Sequence, residues 1–290
     1  MKILVTGSYG QLGSEIKKLS SGQAGFECLF TDYDTLDITD AEAVKGCFDV
    51  ERPAFVVNCA AYTAVDQAEK EEQKAFLLNA RGAGNLARAC REIGARLIHI
   101  STDYVFDGRT WIPYTEEAGT NPQGIYGQSK LKGEEEVVAL NSESLIIRTS
   151  WLYSSFGNNF VKTMIRLGRE RDHLHVVFDQ VGTPTYARDL AKAILEIIGK
   201  ADDPEWGWKP GIYHYSNEGV CSWYDFAREI HLSAGISCRI GPILSAEYPT
   251  PARRPHFSVL DKKKIKSAYG LTIPYWKQSL EECMKLLINK

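Results

Sequence analysis

Five short apolar runs, separated by stretches of helical length, set the strongest limit on how this chain can fold. They read "KILVTG" (2–7), "FECLFTD" (26–32), "FVVNCAA" (55–61), "RLIHIST" (96–102) and "SLIIRTSWLY" (144–153). Between them lie helix-like segments such as "QLGSEIKKL", "FLLNARGAGNLARACREIG" (76–94) and "SKLKGEEEVVAL" (129–140). Near-continuous apolar runs suit strands covered on both faces, and their alternation with helices predicts right-handed βαβ units. The expected fold class is α/β. A Rossmann-type doubly wound parallel sheet is expected over residues 1–150, and a smaller, loop-rich C-terminal substrate lobe over 151–290. A stretch near 176–200, containing the helix-like "DLAKAILEIIG", is expected to return to the first domain.

The turn after the first run narrows the reading. Gly7, Gly10 and Gly13 in "VTGSYGQLGSEI" form GxxGxxG between a strand and a helix. Such a turn brings backbone close to a pyrophosphate, and the amino end of the helix offers free N–H groups and partial positive charge. Asp32 closes the second strand, where a carboxylate can accept from the adenosine ribose hydroxyls and repels a 2′-phosphate. That leans the cofactor to NADH over NADPH, although Lys17 or Lys18 could compensate for a phosphate. Asp37 with Ile38 places an acceptor beside an apolar side chain, an arrangement suited to adenine.

The second constellation is "YGQSK" (126–130), where Tyr126 and Lys130 stand four apart and share a face if the stretch is helical. Hydride delivery to a carbonyl leaves an alkoxide that needs a proton as it forms. A phenol, ordinarily of pKa about 10, is expected to titrate lower beside an ammonium. Thr102 ends the fourth strand and could orient the same carbonyl oxygen, with the Asp103 carboxylate next to it. The acidic run Glu134–Glu136 reads as a solvated helix face.

Composition excludes several other classes. A net charge of −3 gives no electrostatic reason to expect nucleic acid or an anionic membrane. No apolar run approaches the roughly 20 residues that span a bilayer, and no secretory signal precedes "ILVTG". The seven cysteines are scattered and never spaced as CxxC, which favours reduced thiols and a cytosolic setting. His173 and His175 are isolated from any third ligand, so no metal centre is expected.

Together the glycine turn, "NCAAYTAVDQAE" (58–69), "STDYVF", "YGQSK" and "RTSW" resemble the extended short-chain dehydrogenase/reductases. "STDYVFDG", "RTSWLY" with "GNNFVKTM" (157–164), "DQVGTPT" (179–185) and "YPTPARRPHFSVLD" (248–261) look like the dTDP-4-dehydrorhamnose reductase branch, over essentially the whole chain. The resemblance implies reduction of the 4-keto group of dTDP-4-dehydro-β-L-rhamnose by NADH or NADPH, giving dTDP-β-L-rhamnose for cell-surface glycans. It implies Tyr126 as proton donor and Lys130 as its cofactor-binding partner, with Thr102 and Asp103 at substrate positions. Trp151 is implied to pack beside the sugar, a core tryptophan being the alternative. Gly10, Gln11 and Leu12 match the phosphate loop, while Ala61, Tyr62 and Thr63 match a segment lining the cofactor. Arg253 and Arg254 offer guanidinium forks for the dTDP pyrophosphate, a salt bridge to the first domain being their other use. Some members dimerise through a magnesium site built from glutamates. Glu15 matches one of these, but Arg188 stands where a second is expected, so a metal-bridged homodimer is not expected, and a homodimer of another kind stays open. An epimerase or dehydratase of the same fold, and a regulatory subunit like that of methionine adenosyltransferase, are the other readings.

Overall fold

Ile3 and Val5 face one core and Leu4 the other, and the same alternation divides Val57 from Val56, Ile98 from Leu97 and Ile147 from Ile146. That two-residue period is the signature of strands buried on both faces. The computed structural model describes residues 1–21 and 25–288. Its main sheet contains β1 (Lys2–Thr6), β2 (Glu27–Thr31), β3 (Phe55–Asn58), β4 (Arg96–Thr102), β5 (Leu145–Thr149) and β6 (Gly211–His214), in the order β6-β5-β4-β3-β1-β2. Every pairing within it is parallel. The chain moves from β1 outward to β2 and then crosses to β3 on the other side, so the strand order reverses at β1. Ligands of doubly wound sheets bind at the carboxyl ends beside such a reversal.

Helices cover both faces. Leu12 and Ile16 of α1 (Gln11–Ser20) share a core with Leu190, Ile194 and Ile198 of α4 (Ala187–Gly199). Across the sheet, Leu86 and Cys90 of α2 (Ala83–Ile93) pack with Val137 of α3 (Ile125–Leu140). Helix α3 begins directly after Gly124, with the Ile125 N–H donating 2.9 Å to Glu69 Oε1, a carboxylate placed at the positive end of the helix.

The later half of the chain forms a second core, with Tyr153, Met164, Tyr186, Phe226 and Trp276 in contact among the helices Phe160–Glu170, Trp223–Ala234 and Trp276–Ile288. It does not do only that. Strand β6 comes from "GIYH", inside residues 151–290, expected to form the loop-rich lobe. Four residues that begin on a glycine directly after a proline are too few for a period to mark. Among the described residues no helix is long and apolar enough to cross a membrane.

The acidic run on α3 differs from expectation. Glu134 is 2% exposed, and only Glu135 and Glu136 face outward. The Arg148 side chain donates to Glu134 through Nε (2.9 Å to Oε1) and Nη2 (2.7 Å to Oε2), and Ser101 Oγ donates to Oε1 as well. Positions 126, 130 and 134 follow one another at helical spacing, so the face that carries Tyr126 and Lys130 also turns Glu134 into the sheet. Removing one member of a buried pair strands the other charge. Arg148→Met is therefore expected to lower unfolding free energy by about 3–5 kcal/mol in a urea titration, and an unchanged midpoint would show that the pair is dispensable.

Candidate active site

The turn after β1 is built on backbone contact that no side chain tolerates. Gly7 sits at φ +66°, and a Cβ there would lie 2.5 Å from the Ala60 nitrogen in the loop after β3. Gly13, in the first turn of α1, would bring a Cβ to 2.5 Å from the Gly7 carbonyl oxygen. Gly10 caps α1, its N–H donating 3.1 Å to Gly7 O, and the first turn carries no acidic residue. The positive end of the helix is thus left for an anion. Gln11 and Leu12 line the cavity in front of it, while Gly13 lies beneath.

From that helix end a cavity of about 800 Å³ runs across the carboxyl ends of the strands. At β2, Asp32 accepts from the N–H groups of Tyr9 (2.7 Å) and Tyr33 (2.9 Å), clamping the glycine turn to the strand end. Asp37 lines the same side, its Oδ1 accepting from the Thr39 N–H and hydroxyl, and buried Ile38 forms an apolar wall with Leu36 and Leu78. Beyond β3, Ala61 and Thr63 face the cavity. Tyr62 does not; its hydroxyl donates 2.8 Å to Glu71, and its backbone is clipped to Asn79.

At the other end Thr102, Asp103, Tyr126, Lys130 and Trp151 line the cavity together. Burial raises the Tyr126 phenol to about 12, the Thr102 hydroxyl pulling it down and the Asp103 charge pushing it up. The Tyr104 ring packs edge-on against it at 5.4 Å between centroids. Asp103 is 2% exposed; its Oδ1 accepts 3.0 Å from Thr102 Oγ1, while Oδ2 has no hydrogen-bond partner among the described residues. Burial lifts its carboxyl to about 6. Lys130 is also buried. Its Nζ donates 2.6 Å to the Ile100 carbonyl and lies 3.5 Å from His99 Nε2, and burial lowers the amine to about 8. The expected lowering of the phenol by a neighbouring ammonium is therefore not found, because desolvation opposes the charged form of each group.

Three expectations concern the far side of the site. Trp151 stands just beyond β5 at φ +47°, its ring stacked 3.5 Å from that of Trp223. Arg254 does not line the cavity; it forks onto Asp66 at 3.0 and 2.7 Å and thereby ties the late loop to the first domain, while Arg253 is exposed. Glu15 is wholly buried, accepting 2.6 Å from Ser154 with the Arg188 charge nearby. Those surroundings do not fit magnesium, and among the described residues no group of three or more His, Cys, Asp or Glu side chains could hold a metal. Cys59, Leu78, Ser150 and Asn158 also line the cavity and were not singled out in the sequence. Cys59, Ser150 and Asn158 carried a signal through their places in "NCAAYTAVDQAE", "RTSW" and "GNNF", whereas Leu78 carried none.

A dinucleotide-sized cleft that begins on a glycine cradle and ends on a half-buried phenol and a buried amine joins cofactor binding to proton transfer. The class is thereby defined: a nicotinamide-dependent oxidoreductase on the extended short-chain dehydrogenase plan. Comparison with known proteins gives the family. Residues 1–288 match the model described as the RmlD substrate binding domain. A Clostridium acetobutylicum dTDP-4-dehydrorhamnose reductase superposes with a TM-score of 0.94 at 47% identity, covering 99% of both chains. A Bacillus anthracis dTDP-4-dehydrorhamnose reductase, solved in complex with NADP, gives 0.92 at 40% identity over 100% of this chain and 99% of that one. The spore coat polysaccharide biosynthesis protein SpsK of Bacillus subtilis is 42% identical over 98% of this chain and 97% of its own. The chain belongs to the dTDP-4-dehydrorhamnose reductase family.

The cradle can be tested without substrate. Gly13→Ala is expected to weaken NADH and NADPH binding at least about tenfold in a tryptophan-fluorescence titration, since a loss of 1.4 kcal/mol suffices. Unchanged affinity would show that the turn gives way.

Proposed function

We propose that this protein reduces the 4-keto group of dTDP-4-dehydro-β-L-rhamnose, giving dTDP-β-L-rhamnose. The observation that carries the reading is the meeting of Tyr126, Thr102 and Lys130 at one end of a cavity whose other end is the glycine cradle. When bound, the reduced nicotinamide supplies the hydride. Gly7, Gly10, Gln11, Leu12 and Gly13 would hold its pyrophosphate, Asp32 the ribose, and Asp37 with Ile38 the adenine. Tyr126 remains protonated far above neutral pH and donates its proton to the oxygen that becomes the C4 hydroxyl. Thr102 orients that oxygen. Trp151 offers an apolar face to the deoxyhexose, and Asp103 accepts from a sugar hydroxyl. Arg254, although its guanidinium is forked onto Asp66 in this structure, is assigned to the pyrophosphate of the sugar nucleotide.

NADH is the proposed preference, because Asp32 would repel a 2′-phosphate and Lys17 is held over the Phe30 ring, 5.6 Å from its centroid. The NADP complex of the Bacillus anthracis relative makes NADPH the necessary comparison. We further assign the enzyme to the cytosol, with residues 1–150 binding the dinucleotide and the later chain the sugar nucleotide.

Loss of reduced-nicotinamide absorbance on adding dTDP-4-dehydro-β-L-rhamnose, with each cofactor in turn, is the direct assay. Net oxidation matched by dTDP-rhamnose supports the proposal; tight cofactor binding without oxidation favours an epimerase-like or regulatory role. Tyr126→Phe is expected to lower kcat by about 10²–10⁴ while nicotinamide affinity stays the same. On the alkaline side kcat is expected to fall as pH rises through about 8, where Lys130 loses its proton, with Tyr126 still protonated. A flat profile to pH 10 would remove Lys130 from the proton path.

A further inference from the structure

A line of buried polar groups crosses the sheet behind Lys130 and is not absorbed by the roles above. Thr6 Oγ1 donates 2.8 Å to Asn58 Oδ1, Asn58 Nδ2 lies 3.0 Å from His99 Nδ1, and His99 Nε2 lies 3.5 Å from Lys130 Nζ. All four residues are 1% exposed. Proton positions along this line follow from one backbone contact. The Ala60 N–H donates 3.1 Å to Asn58 Oδ1, which fixes the amide so that its NH₂ faces the imidazole. An NH₂ group can only donate, so His99 Nδ1 is an acceptor. Burial and the Lys130 charge hold His99 neutral, and a neutral imidazole with a bare Nδ1 carries its proton on Nε2. That proton points towards the lysine nitrogen, which already donates to Ile100 O. An ammonium has three donors and no lone pair, so it cannot answer a second donor; an amine can.

We propose that His99 is a positioning residue for the reductase, its Nε2–H accepted by the neutral amine that Lys130 becomes on giving up its proton. The step it serves is proton return. After Tyr126 has protonated the product, an N–H bond of the Lys130 ammonium breaks and the O–H bond of the phenol re-forms. Both charges vanish, and solvent later reloads the amine. The titratable groups facing Lys130 are His99 of β4, Cys59 beyond β3, and Glu134 of its own helix. Glu134 is already held by Arg148 of β5. His99 alone distinguishes amine from ammonium by the direction of a hydrogen bond.

The inference rests on the role proposed for Lys130, but its test uses no substrate. In the whole protein labelled with ¹⁵N-histidine, His99, identified by its loss in His99→Gln, is expected to show Nε2 protonated and Nδ1 bare. In protein labelled with ¹³C at the lysine ε position, the Lys130 midpoint is expected to rise by about one pH unit in His99→Gln, the worth of one hydrogen bond. Glutamine can turn its carbonyl to the ammonium and so removes the discrimination. A His99 proton on Nδ1, or a Lys130 midpoint that does not rise in the variant, would overturn the proposal. Since both signals are read without turnover, a wrong sugar assignment would leave them unchanged.

Discussion

Helix α3 is held to the sheet by charge as much as by apolar surface, and the reactive end of the cavity depends on that attachment. Four residues overshoot a helical turn by about 40°, so a row spaced by four drifts slowly round the helix. Tyr126 borders the cavity, Lys130 and Glu134 are buried, and Val138, one step further, is already 49% exposed. The buried charge is costly unless its partners are complete. Arg148 and Ser101 meet the Glu134 carboxylate, and the Ile100 carbonyl meets Lys130. Apolar surfaces tolerate sliding; these bonds do not. A shift of α3 by one turn would leave Glu134 without Arg148, and it is this discrimination that sets the depth of the Tyr126 phenol.

The dinucleotide end is fixed by the opposite device, close backbone contact with almost no side-chain chemistry. Gly7 packs on Ala60, and Gly13 on the Gly7 carbonyl, so β1, β3 and α1 converge at one point. Asp32 then ties β2 to the same turn through the Tyr9 N–H. Convergence there follows from the sheet order, because β1 lies between β2 and β3 and the turn that leaves it must pass both. One end of the cleft is therefore rigid through sterics and the other through hydrogen-bond direction. A nicotinamide spanning them would meet two independently held surfaces.

Most of this was legible in the sequence where a feature was local. The apolar runs revealed five strands of the sheet, the glycine spacing revealed the turn, and the Tyr126–Lys130 spacing revealed the face of α3. Features that require a partner distant in sequence were not legible. Glu134 looks like its neighbours Glu135 and Glu136 until Arg148 is folded beside it, and Arg254 looks free until Asp66 appears. Strand β6 is too short to announce itself and exists because the edge of β5 pairs with it. The direction of the Tyr126 shift was missed for the same reason. Spacing shows that two groups are near, but only the fold shows that both have lost water.

The later lobe acts on the sugar end of the site through a strained residue, Trp151. A non-glycine residue at positive φ costs of order 1–3 kcal/mol and persists only where its surroundings enforce it. At Trp151 the enforcement comes from the lobe side: its carbonyl accepts 3.2 Å from the Thr185 N–H, and its ring stacks on Trp223, the first residue of the helix Trp223–Ala234. Gly182 lies so close that a Cβ there would reach 2.7 Å from the indole. Two segments of the lobe thus hold the tryptophan in a conformation that its own backbone resists. Gln11 of the phosphate turn makes the return connection, donating 3.3 Å to Leu152 O and accepting 2.9 Å from Asn159. Lobe position, the wall of the sugar site and the phosphate turn are consequently one mechanical unit. A displacement of the lobe would move Trp151 and Gln11 together, coupling the two ends of the cleft through the chain that lies between them.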